Sequence, residues 1–186
     1  MNLPNAITLA RLLSVPVEVY LLMQSAYLAA FVLFVLAGLS DALDGYLAKT
    51  RDQRTTIGAM LDPIADKALL VGVYVTLGAQ GSVPNWLVVL VVFRDLMIVG
   101  GVILLFLVRL EVRMRPLVVS KINTAAQIAL AAIVLAELGL DLRIGGLTSA
   151  MIYVVAATTV ISGAGYIGSW TRQMAGAEDR DIPPLK

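Results

Sequence analysis

The chain has no cysteine and no histidine among its 186 residues, and only 15% of it is charged. Without cysteine there is no disulfide, and the redox compartment cannot be read from the sequence. Without histidine there is no histidine-dependent nucleophilic or acid–base chemistry, which removes any His-Lys-Asp phosphodiester reaction. Net charge is +1, so bulk charge says nothing about nucleic acid, and no nucleic-acid partner is expected. The first residues, Asn2-Leu3-Pro4-Asn5, do not form a basic segment before a short apolar one, so no cleavable signal is expected.

What the chain does have is apolar length. Hydrophobic residues make up 59% of it, and mean hydropathy is +0.88. A soluble domain would hold roughly 45–50%. Six apolar runs cover approximately 6–23, 26–48, 58–79, 85–108, 119–138 and 147–170. Each is near the ~20 residues that cross a bilayer. The expectation is an all-α, integral membrane bundle of six transmembrane helices. It forms one domain over 1–172, followed by a mobile polar tail at 173–186 with two prolines. No internal repeat of the transporter kind is seen.

Charge sets the orientation. Lys49, Arg51 and Arg54 occupy the second connection, and Arg109, Arg113 and Arg115 the fourth, with Lys121 just beyond; Arg172 closes the last run. The first and third connections have no basic residue, and the fifth has only Arg143, near Glu137 and Asp141. By the positive-inside rule both termini and the even connections are cytoplasmic. That basic face would also draw anionic lipid headgroups.

Within this apolar frame lies DALDGYLAKTRDQRTTIGAMLDPIAD, which holds Asp41, Asp44, Asp62 and Asp66. The spacing is three within the first pair and four within the second, so each pair shares one face of a helix. Carboxylates at membrane depth need a partner or a cation. Four oxygen ligands with no imidazole or thiolate suit a hard divalent ion, Mg²⁺ or Mn²⁺. Two helices joined by the polar turn 49–57 would present the pairs toward each other, and four carboxylates can hold two such ions. A different class of protein, an ion-coupled transporter, could also use intramembrane aspartates. Here they cluster at one end of a hairpin instead of tracing a path across. Gly45 and Gly58 are read either as room for a ligand or as helix-packing glycines. Lys67 is read as a snorkelling or charge-balancing neighbour of Asp66.

The pattern Asp41-x2-Asp44-Gly45-x2-Ala48 followed by Gly58-x3-Asp62-x3-Asp66 resembles the signature of the CDP-alcohol phosphotransferase family of integral membrane enzymes. The family has arginine after the alanine; here that position is Lys49, which keeps the charge but not the two-pronged grip on phosphate. Arg51 and Arg54 stand nearby as substitutes. The resemblance implies that Asp41, Asp44, Asp62 and Asp66 bind metal. It also implies that Asp66 is the catalytic base, and that Asp44, Gly45, Ala48, Lys49 and Gly58 receive the CDP moiety. The implied reaction displaces CMP from a CDP-linked lipid, and the implied assembly is a homodimer.

Beyond the signature, LPNAITLARLL resembles the Pro-Asn-x2-Thr-x2-Arg opening of the phosphatidylglycerol branch of the family. Asn5, Thr8 and Arg11 would then lie near substrate headgroups, with a plain helix start as the alternative for Asn5. Arg94-Asp95 and Ser120-Lys121-x-Asn123-Thr124-Ala125-x-Gln127 look most like the mitochondrial-type cardiolipin synthases. Relatives that use glycerol phosphate tend to have Arg-Glu and a Gly-Lys-x-Lys-Thr version. The implied substrates are CDP-diacylglycerol with phosphatidylglycerol or, as the alternative, glycerol 3-phosphate. Asp95 is about 100° from Arg94 around a helix and is read as an imperfect partner. Arg94 is therefore left to an acid on another helix or to substrate phosphate. Arg115 and Lys121 either hold the acceptor's phosphate or simply mark the cytoplasmic side. Compact size and the absence of a transit peptide point to a bacterial inner membrane, with the active face toward the cytoplasm.

Overall fold

The computed structural model describes the backbone of residues 3–51, 56–107 and 118–178, and the side chains of 9–40, 67–101, 118–169 and Thr171. The described backbone forms α1 Leu3–Met23, α2 Tyr27–Arg51, α3 Thr56–Ala79, α4 Asn85–Leu107, α5 Val118–Gly139 and α6 Gly145–Glu178. No strand occurs among the described residues. The six apolar runs thus correspond to six helices. The largest difference is at the end of α6, which stays helical through Glu178.

α1 runs through Pro16 without breaking. Proline removes one backbone donor there, a loss that helices tolerate when neighbouring helices brace them. α1 packs on α2 and α3, α2 on α5, α3 on α4 and α5, α4 on α6, and α5 on α6. Among the described residues α2 and α3, although consecutive, do not pack directly on each other.

α1, α3 and α5 end in the same way. At α1, Ser25 takes a left-handed φ of 56°, with Ala26 N donating to Leu21 O and Ser25 N to Leu22 O, both 2.9 Å. At α3, Gly81 has φ 75°, with Ser82 N donating to Leu77 O and Gly81 N to Gly78 O. At α5, Asp141 has φ 52° and Leu142 N donates to Glu137 O. These are Schellman-type caps, which satisfy the last carbonyls of a helix. Gln80 Nε2 also donates to Leu22 O at 2.6 Å, tying the α3 end to the α1 end.

The core is made of Leu22, Tyr74, Leu77, Leu87, Leu130 and Leu135, all essentially without exposure. Close approach depends on small residues: a Cβ on Gly139 would lie 2.9 Å from the Leu28 backbone, so the start of α2 rests directly on the end of α5. The outside is apolar as well, with Leu13, Tyr20, Val89, Leu96 and Tyr153 all more than half exposed. Two helical segments among the described residues, Val118–Gly139 and Gly145–Ser169, are long and apolar enough to cross a membrane. Only 39% and 28% of their most apolar windows are buried, unlike the core helix of a soluble protein.

Candidate functional site

α2 carries Asp41 and Asp44 near its end, and α3 carries Asp62 and Asp66 in its first half. The backbone is helical at all four, so each pair has the helical spacing expected of it. Their side chains lie outside the described residues, as do those of Asn5, Thr8, Gly45, Ala48, Lys49 and Gly58; Arg115 lies outside altogether. Among the described residues no cluster of metal-ligating side chains occurs. The donor set on α2 and α3 is nonetheless all carboxylate, and it fits a hard divalent cation.

The described residues next to the aspartates form a cavity of about 150 Å³ between α1, α2, α3 and α5. It separates α2 from α3: Ala37 and Gly38 stand on one side, Lys67 and Leu70 on the other, with Arg11 and Thr124 completing the wall. Gly38 is three residues before Asp41, and Lys67 directly follows Asp66. A Cβ built on Gly38 would meet nothing within 4 Å. Arg11, although 95% buried, also lines a neighbouring groove of about 160 Å³ with Ser14 and Ser40. An apolar groove of about 870 Å³ between α1, α2 and the end of α5 shares Leu33 and Leu36 with that second space.

Behind the cavity is a buried polar cluster. Arg94 donates from Nη1 to Asp95 Oδ1 at 2.7 Å and from Nη2 to Ser120 Oγ at 2.6 Å and Ser162 Oγ at 2.5 Å. Its guanidinium also lies 5.9 Å from the Tyr166 ring centre, within cation–π range. Lys67 Nζ meets Asp95 Oδ2 at 2.6 Å. One sequence expectation changes here. Asp95 is the direct acidic partner of Arg94, because the long guanidinium arm swings back across the 100° that separates the two Cβ atoms. Lys67 also meets Asp95, on the carboxylate's other oxygen. Both Nη atoms of Arg94 are thus engaged inside the bundle.

The Ser120–Gln127 stretch divides its tasks along α5. Ser120 accepts from Arg94, and Thr124 faces the cavity. Asn123 Oδ1 lies 2.9 Å from the hydroxyls of both Thr158 and Thr159 on α6. Tyr74 donates to the Gln127 carbonyl at 3.1 Å, while the Gln127 side-chain amide is fully buried without a partner. Lys121 is exposed.

Sequence reasoning missed Ser162, Tyr166 and Glu18. Glu18 on α1 is 0% exposed, and neither of its oxygens has a hydrogen-bond partner. A lone acid in an apolar run, VPVEVYLL, was the available signal for it.

An apolar helical bundle thus carries aspartate pairs on two consecutive helices, with a mostly apolar cavity between those helices. The sequence profile of the CDP-alcohol phosphatidyltransferase family matches residues 1–161, and the chain belongs to that family. It is 33% identical over 180 residues to a cardiolipin synthase (CMP-forming)/mitochondrial hydrolase fusion protein of Schizosaccharomyces pombe, covering 89% of this chain and 30% of that one. It is 34% identical over 186 residues to the chloroplastic CDP-diacylglycerol–glycerol-3-phosphate 3-phosphatidyltransferase 1 of Oryza sativa subsp. japonica, covering 89% of this chain and 56% of that one. The chain therefore spans between about a third and just over half of these two relatives. With the CDP-diacylglycerol–glycerol-3-phosphate 3-phosphatidyltransferase of Rickettsia bellii it shares 35% identity over 170 residues, covering 89% of this chain and 93% of that one.

Proposed function

We propose that this protein is a six-span, metal-dependent phosphatidyltransferase that makes cardiolipin and CMP from CDP-diacylglycerol and phosphatidylglycerol. The reading is carried by the aspartate signature on α2 and α3 within a chain of this family. It acts as a homodimer in a bacterial inner membrane, with its active face toward the cytoplasm. Divalent ions held by Asp41, Asp44, Asp62 and Asp66 would, when bound, offset the charge of the pyrophosphate and polarise its phosphorus.

The protein's own groups do the rest. Asp66 accepts the proton of the acceptor hydroxyl. The freed oxygen forms a bond to the lipid-side phosphorus as the phosphorus–oxygen bond to CMP breaks, and CMP leaves with the electron pair. Lys49, with Arg51 or Arg54, holds the pyrophosphate, while Gly45, Ala48 and Gly58 leave room for the nucleotide. Arg11 in the cavity wall, with Asn5, Thr8, Arg115 and Lys121, attracts the acceptor's phosphate.

Phosphatidylglycerol is favoured as acceptor by Asp95 after Arg94 and by the Ser120–Gln127 pattern. The apolar groove that continues from Arg11's surroundings gives a second lipid somewhere to lie. Glycerol 3-phosphate is the second reading, favoured by the names of the Oryza and Rickettsia relatives. The test gives purified protein in liposomes CDP-diacylglycerol and Mn²⁺ or Mg²⁺, with each acceptor in turn, and measures CMP and lipid mass. A four-chain lipid from phosphatidylglycerol establishes the first reading. Phosphatidylglycerophosphate from glycerol 3-phosphate alone selects the second.

A further inference from the structure

Asp95 is 6% exposed, and each of its oxygens is held by a different cation, Arg94 on its own helix and Lys67 on α3. Arg94 goes on to Ser120 of α5 and Ser162 of α6. One connected set of polar contacts thus gathers α4, α5 and α6 and ends on α3 at Lys67, the residue directly after Asp66.

We propose that Asp95 is a positioning residue for phosphatidyl transfer: by pinning Lys67 it fixes the roll and height of the α3 turn that carries Asp66. The inference rests on the reading of Asp66 as base given above. Between helices in a membrane the contacts are van der Waals ones, without a hydrophobic drive to fix orientation. The contact between buried Asp95 and partly exposed Lys67 is charge-assisted and directional, and it supplies the fixed point. Such pinning matters because a displacement of about 1 Å at a reacting group can cost ~10²-fold in rate. The two branches at Asp95 also separate by task. Arg94 with its serines ties α4 to α5 and α6, so loss of the Lys67 branch alone leaves that tie in place. A merely structural Lys67 would therefore change turnover little.

The experiment compares wild type with Lys67→Met, Asp95→Asn, the double variant and Lys67→Arg in liposomes. It measures kcat, KM for CDP-diacylglycerol and amide hydrogen exchange along α3. Each single variant is expected to lose about 10- to 100-fold in kcat with KM within about twofold, the pattern of a misplaced reacting group. The double variant should be no slower than the slower single, because the two residues act as one unit. Lys67→Arg should recover most of the rate, and exchange should rise around residues 62–68 but not in α5 or α6. Unchanged kcat in Lys67→Met, losses that multiply in the double variant, or a change in KM alone would each overturn the proposal. If Asp95→Asn does not fold, the two Lys67 variants decide. A wild type that releases no CMP with either acceptor would sink the proposed function, while exchange along α3 would still decide the pinning.

Discussion

At the end of the bundle where α1, α3 and α5 finish, the same cap appears three times, each with one left-handed residue and backbone hydrogen bonds that close the helix. Backbone meets backbone there, as where Leu28 rests on Gly139. The opposite half of the molecule is held differently. Lys67, Asp95, Arg94, Ser120 and Ser162 join four helices through side chains alone. A cavity is left open between α2 and α3 beside them. Burying charge costs desolvation, and an apolar core of the same volume would often be at least as stable. The capped end is thus closed by backbone contacts, while the charged end, on the positioning role proposed above, spends stability on placing groups for chemistry.

Variants at the two ends should therefore fail in different ways. The largest effect belongs to Asp66→Asn, which should lower CMP release by ~10²–10⁴-fold while some metal and CDP binding remains. Near-normal turnover would remove Asp66 from its role. At the capped end, Gly81→Val must hold a φ of 75° and should cost about 1–2 kcal/mol, with CMP release per folded molecule retained. Thermal unfolding in detergent, read beside activity, separates the two kinds of loss. Lost activity at full stability in Gly81→Val would contradict the division. The smallest effect is Gly38→Ala, whose new methyl meets open space and should add ~0.5–1 kcal/mol of stability. Gly38→Leu, reaching into the same cavity, should instead slow turnover. Unchanged kinetics would place the substrates elsewhere.

The helices were legible in the sequence because apolar runs of bilayer length leave little choice of structure. Their ends were legible where Gly81 or the Gln24-Ser25 break interrupts a run. The aspartate pairs were legible from spacing, since helical periodicity alone places Asp41 with Asp44 and Asp62 with Asp66. The pairing of Arg94 with Asp95 was not, because it depends on how a long side chain folds back rather than on where its Cβ points. Nor was Lys67's reach to α4, since the neighbours of α3 are set by tertiary packing. Ser162 and Tyr166 are small signals in an apolar run and gain meaning only once α6 lies against α4.

The contact between Leu28 and Gly139 also constrains the order of assembly. The first hairpin emerges from synthesis long before the helix on which its second member rests. α2 therefore lacks its seat on α5 until α5 has been made. The cavity draws walls from α1, α2, α3 and α5, so it comes into being at that same moment. A nascent chain halted before α5 would already carry all four aspartates, yet not the closed cavity beside them.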